Sequence, residues 1–305
     1  MKINETFSSE QKITIGLPQG TILAPLLFNI YINDLLEIKI NSRIQAFADD
    51  ICMISINENP TNIYKQTHKD FETVKKWLRE NKLTLNKEKT CYITFGDIKN
   101  STHPQLNVKK VQTVKYLGII IDEKLKWEHH IIHLIKKLRK LLYTFYMLKH
   151  ASNEIVTRSA YFALIQSLLT YGILAWGGTH KKQITKLHIL QKRFLKIILN
   201  KPIYFPSQTL FALSNVLTIN QLYLKESLIR IHKTIDIHKP VTHLYNTRYT
   251  STNPLTINKV NKTTTQKQSE YIGIFTYNQL PPLIKNTRCR KDFNRKVTQY
   301  LKTNK

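Results

Sequence analysis

Cysteine is scarce in this chain of 305 residues. Cys52, Cys91 and Cys289 are far apart, odd in number and without C-x-x-C spacing. Disulfide frameworks and structural zinc sites need regularly spaced cysteines, so we expect neither of them here. The N-terminus also lacks the apolar core of a secretory signal. These absences favour an intracellular protein, and they do not distinguish the nucleus from the cytoplasm.

Long uncharged runs are nearly absent as well. Residues 159–180 carry no Lys, Arg, Asp or Glu and approach the length of a membrane span. Gln166, Ser167 and Thr170 interrupt the segment, and its end contains three glycines. We therefore expect a buried helix at this point. Because the chain also shows no lipidation motif, we expect no membrane partner.

Acidic residues are few, and their shortage is uneven. The chain has 47 Lys and Arg against 20 Asp and Glu, a net charge of +27. Residues 1–128 hold 18 basic and 15 acidic residues, whereas residues 129–305 hold 29 basic and five acidic ones. A nearly balanced first part and a strongly cationic second part predict a polyanionic partner, with nucleic acid favoured. With 42% hydrophobic residues the chain can still bury substantial cores.

Two adjacent carboxylates stand out in the first part. Asp49 and Asp50 separate two β-rich apolar runs within residues 44–56, a pattern that predicts a tight hairpin with the acids at its tip. Two like charges at a tip repel each other unless a cation lies between them. Oxygen-only ligation suits Mg²⁺ or Mn²⁺. An ordinary Asp-Asp turn is the simpler alternative, and the pair alone does not exclude it.

The pattern around the hairpin predicts an α+β layer, in which helices back an antiparallel sheet. Residues 24–36 are apolar nearly all round and predict a buried helix, with Pro25 in its first turn. Residues 61–82 predict an amphipathic helix. Residues 91–95 and 113–121 predict strands, the second bent or opened at Gly118.

The second half reads as mainly helical. Long helices are expected at residues 127–150, 153–176 and 183–199, and shorter ones at 206–217, 221–238 and 291–301. Residues 238–274 are rich in Thr and Asn and predict a loop-rich segment.

Four sequence blocks then occur in a fixed order: Gly16-Leu-Pro-Gln-Gly20-Thr-Ile-Leu-Ala-Pro-Leu-Leu-Phe28, Phe47-Ala-Asp-Asp50, Leu83-Thr-Leu-Asn-Lys-Glu-Lys-Thr90 and Val114-Lys-Tyr-Leu-Gly118. Together they resemble the reverse transcriptases of non-LTR retrotransposons of the LINE-like, jockey type. The resemblance implies the C-terminal half of a polymerase palm at residues 1–122, a helical thumb at 123–200 and a basic C-terminal region at 201–305.

The resemblance also implies a function, RNA-directed DNA polymerisation by two-metal nucleotidyl transfer. Asp49 resembles the palm aspartate that binds the two catalytic Mg²⁺ or Mn²⁺ ions, and Asp50 resembles its less directly engaged neighbour. Lys89 resembles a lysine near the triphosphate that acts as a general acid or charge stabiliser. A solvated lysine at a strand edge is an equally good interpretation of Lys89.

Other residues resemble substrate contacts of that family. Gln19 and Gly20 resemble the turn that approaches the template base and the incoming dNTP, where a side chain on the glycine would obstruct the approach. Tyr116, Leu117 and Gly118 resemble the primer-grip hairpin, although a simple bulge would also explain Gly118. The implied partners are an RNA template, a DNA primer or RNA–DNA hybrid, and dNTP.

One part of the family pattern is missing. A further aspartate on an earlier strand is expected upstream of Gln19, and the acids found there are Glu5 and Glu10. We therefore expect this chain to be a part of a longer polyprotein, with the upstream part as a possible partner. We also expect it to bind the metals weakly and to be inactive alone. A non-catalytic nucleic-acid-binding remnant of a decayed retroelement is the alternative.

Three histidines near residue 130 form another candidate cluster. His129 and His133 have the four-residue helical spacing that zinc sites use, but Glu128 precedes the pair instead of lying inside it. We interpret them as part of a helix face. The basic stretches at 136–140, 181–196 and 285–296 are either solvated faces or nucleic-acid contacts, and the loss of acids in this half alone favours the contacts.

Overall fold

The computed structural model describes residues 2–3, 6–7, 16, 20–96, 106–235, 255–257 and 259–303. Its residues fall into two units, 1–111 (unit 1) and 112–305 (unit 2). The division into palm, thumb and C-terminal region stays a prediction. Gln19 lies outside the described residues.

Unit 1 combines two helices with short strand pairs. In chain order its elements are β1 (Lys2–Ile3), β2 (Thr6–Phe7), α1 (Ala24–Leu36), β3 (Arg43–Phe47), β4 (Asp50–Ile54), α2 (Pro60–Glu80), β5 (Cys91–Tyr92) and β6 (Lys109–Lys110). β1 with β2 and β3 with β4 are antiparallel, whereas β5 and β6 are parallel. Helices and small sheets agree with the predicted α+β class. In place of one antiparallel sheet, the described residues of this unit form separate two-stranded pairs.

α2 is the amphipathic helix that the sequence predicts. The side-chain oxygen of Asn59 accepts a hydrogen bond from the Thr61 N–H at 2.9 Å and caps the helix, which contributes about 1 kcal/mol. Val74 and Leu78 lie on its apolar stripe and are buried against α1. Burial of side chains of this size stabilises by roughly 1.5–3 kcal/mol each, so this contact holds the two helices of unit 1 together.

α1 has the predicted bounds, but the prediction that it is buried is wrong. Ile32 and Leu35 are buried, whereas Leu26 and Ile30 are 57% and 63% exposed. The helix is apolar nearly all round, and α2 and the β3–β4 hairpin cover one side of it. The hydrophobic periodicity could not reveal which side of α1 is exposed, because a helix that is apolar nearly all round has no polar side to mark it.

Unit 2 begins with a hairpin and continues as packed helices. In chain order its elements are β7 (Thr113–Tyr116), β8 (Ile119–Asp122), α3 (Glu128–Ala151), α4 (Glu154–Ala160), a π-helical segment (Tyr161–Gln166), α5 (Ser167–Thr170), α6 (Ile173–Trp176), α7 (Lys181–Ile198), α8 (Ser207–Ser214), α9 (Ile219–Lys233), α10 (Thr263–Gln266), α11 (Ser269–Gln279), α12 (Pro282–Lys285) and α13 (Arg290–Thr303). α3 packs on α7, and α9 packs on α11 and α13.

Aromatic contacts join the helices of the unit 2 core. Phe145 of α3 and Phe194 of α7 are fully buried and meet edge to face, with ring centroids 5.1 Å apart. His232 of α9 stacks on Phe293 of α13 at 3.7 Å. Such pairs contribute roughly 0.5–1.5 kcal/mol beyond the area that they bury. The strongly cationic half of the chain is therefore a packed domain and has a core of its own.

The prediction of one continuous helix at residues 153–176 is wrong. The segment passes from α4 into a π-helical turn, then into α5, and it breaks at Tyr171 and Gly172 before α6. Gly172 has φ +60°, a left-handed conformation that ends a helix readily at glycine. A side chain at this position would come within 2.3 Å of the Ile119 side chain, so the break brings this segment close against β8.

Of the predicted loop-rich segment at 238–274, residues 238–254 and 258 lie outside the described residues, and the rest contains α10 and the start of α11. α11 begins at Ser269, and Gly273, Ile274 and Tyr277 are buried, with α11 lying against α9. Gly273 lies close to the Ile231 side chain, where a larger residue would not fit. A short helix that packs through glycine has weak apolar periodicity, which is why the sequence pattern missed it. Within the described residues, no helix is long and apolar enough to cross a membrane.

Candidate active site and nucleic-acid surface

The carboxylate pair lies on the predicted hairpin. β3 and β4 are in register from Arg43 opposite Ile54 to Phe47 opposite Asp50, which leaves Ala48 and Asp49 as a two-residue turn. Asp49 is therefore in the turn and Asp50 is the first residue of β4. Both are exposed. The prediction of a tight hairpin with two acids at its tip is confirmed.

The turn adopts a strained backbone. Ala48 has φ +50°, in the left-handed region that costs a non-glycine residue roughly 1–2 kcal/mol. This conformation suits a two-residue hairpin turn, because it matches the right-handed twist of the two strands. The strain therefore accompanies a sharp turn that projects both carboxylates beyond the apolar part of the hairpin.

A buried carboxylate holds the opposite end of this hairpin. Asp70 of α2 is 2% exposed and accepts hydrogen bonds from the backbone N–H of Ser42 at 2.8 Å and from its hydroxyl at 2.6 Å. The Ser42 hydroxyl is also 2.7 Å from the hydroxyl of Ser55, which follows β4. α2 thus fixes both strands at their base and leaves the tip free. The sequence analysis missed Asp70, although an acid beside Phe71 on an apolar stripe was a visible signal.

The pair by itself offers limited metal ligation. Among the described residues, no group of three or more His, Cys, Asp or Glu side chains could hold a metal ion. Mg²⁺ is often bound through one or two carboxylates, with substrate phosphates and water completing its shell. Asp49 and Asp50 fit that mode of binding, in which the substrate supplies the remaining ligands.

A second two-residue hairpin lies in unit 2, at the residues that resemble a primer grip. β7 and β8 pair from Thr113 opposite Asp122 to Tyr116 opposite Ile119. Leu117 and Gly118 form the turn, with φ +45° and +79°. The predicted strand at 113–121 is therefore two strands that open at Leu117 and Gly118.

The tip of this second hairpin is held in place. The Tyr171 hydroxyl donates a hydrogen bond to the Leu117 carbonyl at 2.6 Å, and its ring lies 3.5 Å from where a Gly118 Cβ would be. Tyr171 itself accepts at its carbonyl from the Trp176 indole N–H at 3.0 Å. The break after α5 therefore positions the turn. No sequence signal identified Tyr171, which is 54 residues from its partner.

The base of the second hairpin is anchored as well. Asp122 is 6% exposed, and its carboxylate accepts hydrogen bonds from the backbone N–H groups of Lys126 at 2.9 Å and Trp127 at 2.6 Å. The Nδ1 atom of His130 accepts a hydrogen bond from the Ile120 N–H at 3.3 Å. Burial, together with the charges of His133 and Lys137, lowers the pKa of His130 to about 4, so its imidazole is neutral at pH 7. His130 therefore joins α3 to β8.

The first part of the chain is similar to a known protein family. Residues 1–121 match the family described as reverse transcriptase (RNA-dependent DNA polymerase), and the match includes the first hairpin and all of the second except Asp122. These residues are therefore similar to the reverse transcriptase family. We call them the reverse transcriptase segment. The resemblance to jockey-type, LINE-like reverse transcriptases predicted from the sequence blocks is thereby confirmed.

Curated relatives carry the similarity beyond that segment. The chain is 22% identical to the probable RNA-directed DNA polymerase from transposon X-element of Drosophila melanogaster over 252 residues, 78% of this chain and 27% of the relative. It is 25% identical to the RNA-directed DNA polymerase from mobile element jockey of the same species over 211 residues, 65% of this chain and 23% of the relative. The chain thus spans about a quarter of the length of these relatives. No solved structure matches it.

Two further predicted residues of the reverse transcriptase segment lie outside its first hairpin. Lys89 is exposed, on a turn where the Asn86 side chain accepts hydrogen bonds from the backbone N–H groups of Glu88 and Lys89, both at 3.1 Å. In the described part of the chain no hydrogen bond links Lys89 to Asp49 or Asp50. Gly20 is exposed with φ +84°, and a Cβ there would meet no atom within 4 Å. Its backbone conformation alone therefore explains the glycine, and the roles of both residues stay predictions.

Downstream of the reverse transcriptase segment, α3 carries a basic and aromatic stripe. Its buried residues, among them Ile131, Leu138 and Phe145, face the core. On the opposite side, Tyr143 and Tyr146 are 74% and 57% exposed. The stripe, spaced at three and four residues, consists of Lys136, Arg139, Lys140, Tyr143 and Tyr146, all exposed. Cations bind phosphate and exposed tyrosines stack on bases or sugars, so the α3 stripe suits a nucleic acid.

The histidines of α3 divide between two environments. His129 is exposed, and His133 is partly buried, where burial and then the charges of Lys137 and Lys115 lower its pKa. His130, between them, is in the joint with β8. The four-residue spacing of His129 and His133 therefore reflects one edge of the helix, which runs from an exposed position to a partly buried one.

Proposed function

We propose that this chain provides the metal-binding hairpin and a nucleic-acid-binding domain of a retrotransposon reverse transcriptase, an RNA-directed DNA polymerase. One observation carries the proposal. Within a segment that matches the reverse transcriptase family, a two-residue hairpin turn presents adjacent Asp49 and Asp50 to solvent. Two exposed carboxylates at a strained tip, on a hairpin whose base is anchored by Asp70, are arranged to meet a ligand.

Asp49 and Asp50 would hold the divalent metal together with the substrate phosphates. A bound Mg²⁺ or Mn²⁺ supplies positive charge for an attacking primer 3′-hydroxyl and for a departing pyrophosphate. The protein contributes position: Asp70 fixes the base of the hairpin on α2, so the carboxylates are presented at one place. Lys89, which is exposed on its turn, would approach a triphosphate and donate a proton or a charge-assisted hydrogen bond.

The other predicted residues would orient the nucleic acid. Gly20, together with Gln19, would approach the template base and the incoming dNTP. Tyr116, Leu117 and Gly118 form the clamped hairpin that would support the primer end, and Tyr171 keeps its turn in place. The α3 stripe would bind the RNA–DNA hybrid through phosphate contacts and tyrosine stacking.

A second function is favoured by one specific observation. The described residues offer two carboxylates at the hairpin and no group of three metal-binding side chains. A reaction that depends on two metal ions is weakly supported by two carboxylates alone. We therefore expect little or no polymerisation by this chain on its own. Binding of nucleic acid without catalysis is the alternative function, as in a decayed retroelement.

Primer extension separates these possibilities. The purified chain and its Asp49→Asn variant are mixed with a DNA primer on an RNA template, dNTPs and Mg²⁺, and binding of the same hybrid is measured in parallel. Extension by the chain that is abolished in Asp49→Asn supports a self-sufficient polymerase. Binding without extension by either protein supports the non-catalytic function or dependence on a further part of the polyprotein. A chain that neither binds nor extends would contradict the proposal.

A further inference from the structure

The C-terminal helix α13 borders a polar groove of about 510 Å³. Asn215, which ends α8 in a left-handed conformation, closes one side of it. The remaining lining side chains all come from one flank of α13, and they are Lys291, Asn294, Arg295, Thr298, Gln299 and Lys302. Three are cations, three are neutral hydrogen-bonding groups, and none is apolar or aromatic.

The helix is held firmly enough to present this flank. Phe293, Val297 and Leu301, on its other side, are 0–5% exposed in the core of unit 2. The Gln221 side chain of α9 donates a hydrogen bond to the Leu301 carbonyl. The cations of the groove therefore project from a fixed helix, and little ordering is needed when a ligand binds.

Positive charge is concentrated at the end of the groove. Burial lowers the pKa of Lys302, and the charges of Arg158 on α4 and Lys225 on α9 lower it further. Among the described residues none of these three cations forms an ion pair. Their repulsion is relieved when an anion enters.

Acidic side chains neutralise the other cations of the groove only slightly. Among the described residues Arg295 forms an ion pair with Asp292 at 3.2 Å, but the arginine side chain is 78% exposed. Exposed pairs of this type contribute about 0–1 kcal/mol, so Asp292 does not prevent the guanidinium from binding phosphate. Lys291 forms no ion pair with any described residue.

We propose that the α13 groove binds the phosphodiester backbone of a nucleic acid strand, through Lys291, Arg295 and Lys302. The proposal rests on the nucleic-acid-binding function proposed above and adds a second contact, built by unit 2 alone and distinct from the α3 stripe. Lysine and arginine contact phosphate oxygens, and the neutral side chains can donate further hydrogen bonds. With no aromatic ring in the lining, bases are not stacked there, so we expect binding that does not depend on base sequence.

The test compares three variants that each lose three positive charges. The groove variant carries Lys291→Gln, Arg295→Gln and Lys302→Gln. The other two are an α3 variant (Lys136→Gln, Arg139→Gln and Lys140→Gln) and an α2 control (Lys65→Gln, Lys69→Gln and Lys76→Gln). Binding of labelled RNA–DNA hybrid, single-stranded RNA and single-stranded DNA is measured by fluorescence anisotropy from low to moderate salt. Circular dichroism checks the fold.

We expect the groove variant to bind all three nucleic acids roughly tenfold more weakly than the α2 control. Its plot of log affinity against log salt should become shallower by about 2 to 3, since each lost phosphate contact removes about one unit of slope. If the triple variant is unfolded, the exposed single change Arg295→Glu replaces it, with an expected loss of severalfold relative to Lys65→Glu.

The other outcomes separate this proposal from the more general one. Equal binding by the groove variant and the α2 control, with weaker binding by the α3 variant, would overturn the groove and leave nucleic-acid binding intact. Absence of binding by the unmodified chain would overturn both. A loss confined to RNA would contradict recognition of the backbone alone. Competition by millimolar inorganic phosphate as strong as that by a strand would show a simple anion site and would also overturn the proposal.

Discussion

Two hairpins of this protein have the same turn length and a similar anchor at the base, but they are restrained differently at their tips. The β3–β4 hairpin of unit 1 is fixed at its base by Asp70 and ends in a free, acidic tip. The β7–β8 hairpin of unit 2 is fixed at its base by Asp122 and at its tip by Tyr171. The difference shows how one simple element serves two tasks. A free tip presents charge to a ligand, whereas a clamped tip offers a rigid support.

Loss of the two buried anchors should have the largest effect. Asp70→Ala and Asp122→Ala each leave backbone N–H groups, buried at Ser42 and partly buried at Lys126 and Trp127, without their acceptor, so we expect each to lower the free energy of unfolding by about 3 kcal/mol. Urea denaturation measures this. Asp34→Ala, at an exposed position of unit 1, and Glu123→Ala, at a partly exposed position of unit 2, are controls and should change it by less than about 0.5 kcal/mol. Comparable losses at the two anchors would show that the hairpins differ at their tips only, and unequal losses would refute that symmetry.

Acid should weaken the second hairpin through His130. Its pKa is about 4 in the folded protein against 6.5 for an unperturbed histidine, so the unfolded chain takes up a proton first as the pH falls. The stability that depends on a neutral His130 is complete above pH 6.5 and is lost towards pH 4, by roughly 2–3 kcal/mol.

Urea midpoints at pH 7.5, 5.5 and 4.5 for the chain and for His130→Asn test this expectation. Asparagine keeps a hydrogen-bond acceptor near Ile120 but does not titrate, so the difference in stability between the two proteins should shrink or reverse as the pH falls. The exposed His129→Asn should follow the parent chain. A pH profile unaltered by His130→Asn would assign the acid sensitivity to other groups.

Removal of the tip clamp should have a smaller effect. Tyr171→Phe deletes only the hydroxyl that donates to Leu117, and we expect a loss of about 1 kcal/mol in unfolding free energy. Tyr143→Phe is the matched control, since Tyr143 is 74% exposed. Amide exchange at Gly118 should accelerate in the first variant and not in the second. Unchanged exchange would mean that the turn itself, and not Tyr171, makes this tip rigid.

A substitution at the free tip of the β3–β4 hairpin should have the smallest effect on stability. Asp49→Asn removes a charge from an exposed turn, so we expect a change in unfolding free energy within about 0.5 kcal/mol. The same change should abolish stabilisation of the chain by Mg²⁺ or Mn²⁺ in thermal melts. Asp34→Asn, also exposed on unit 1, should keep that stabilisation. A large loss of stability in Asp49→Asn would show that the tip is structural.

Sequence patterns predicted the elements that depend on neighbouring residues and failed where distant residues decide the structure. The β3–β4 hairpin, the amphipathic α2 and the bounds of α1 follow from patterns within a few residues, and those predictions are confirmed. The burial of α1 and the continuity of the 153–176 helix were wrong because both depend on what the rest of the chain places beside them. The roles of Asp49, Lys89 and Gly20 stay predictions.

The sequence alone determined where the two carboxylates stand, which half of the chain is cationic and which family the first part of the chain resembles. These are properties of local order and composition. Tertiary structure alone decided that Asp70, Asp122, His130 and Tyr171 are anchors. Partners such as Ser42 and Asp70, or Leu117 and Tyr171, are 28 and 54 residues apart. A hydrogen bond between such residues exists only after helices and hairpins pack, because only packing brings the donor and the acceptor together.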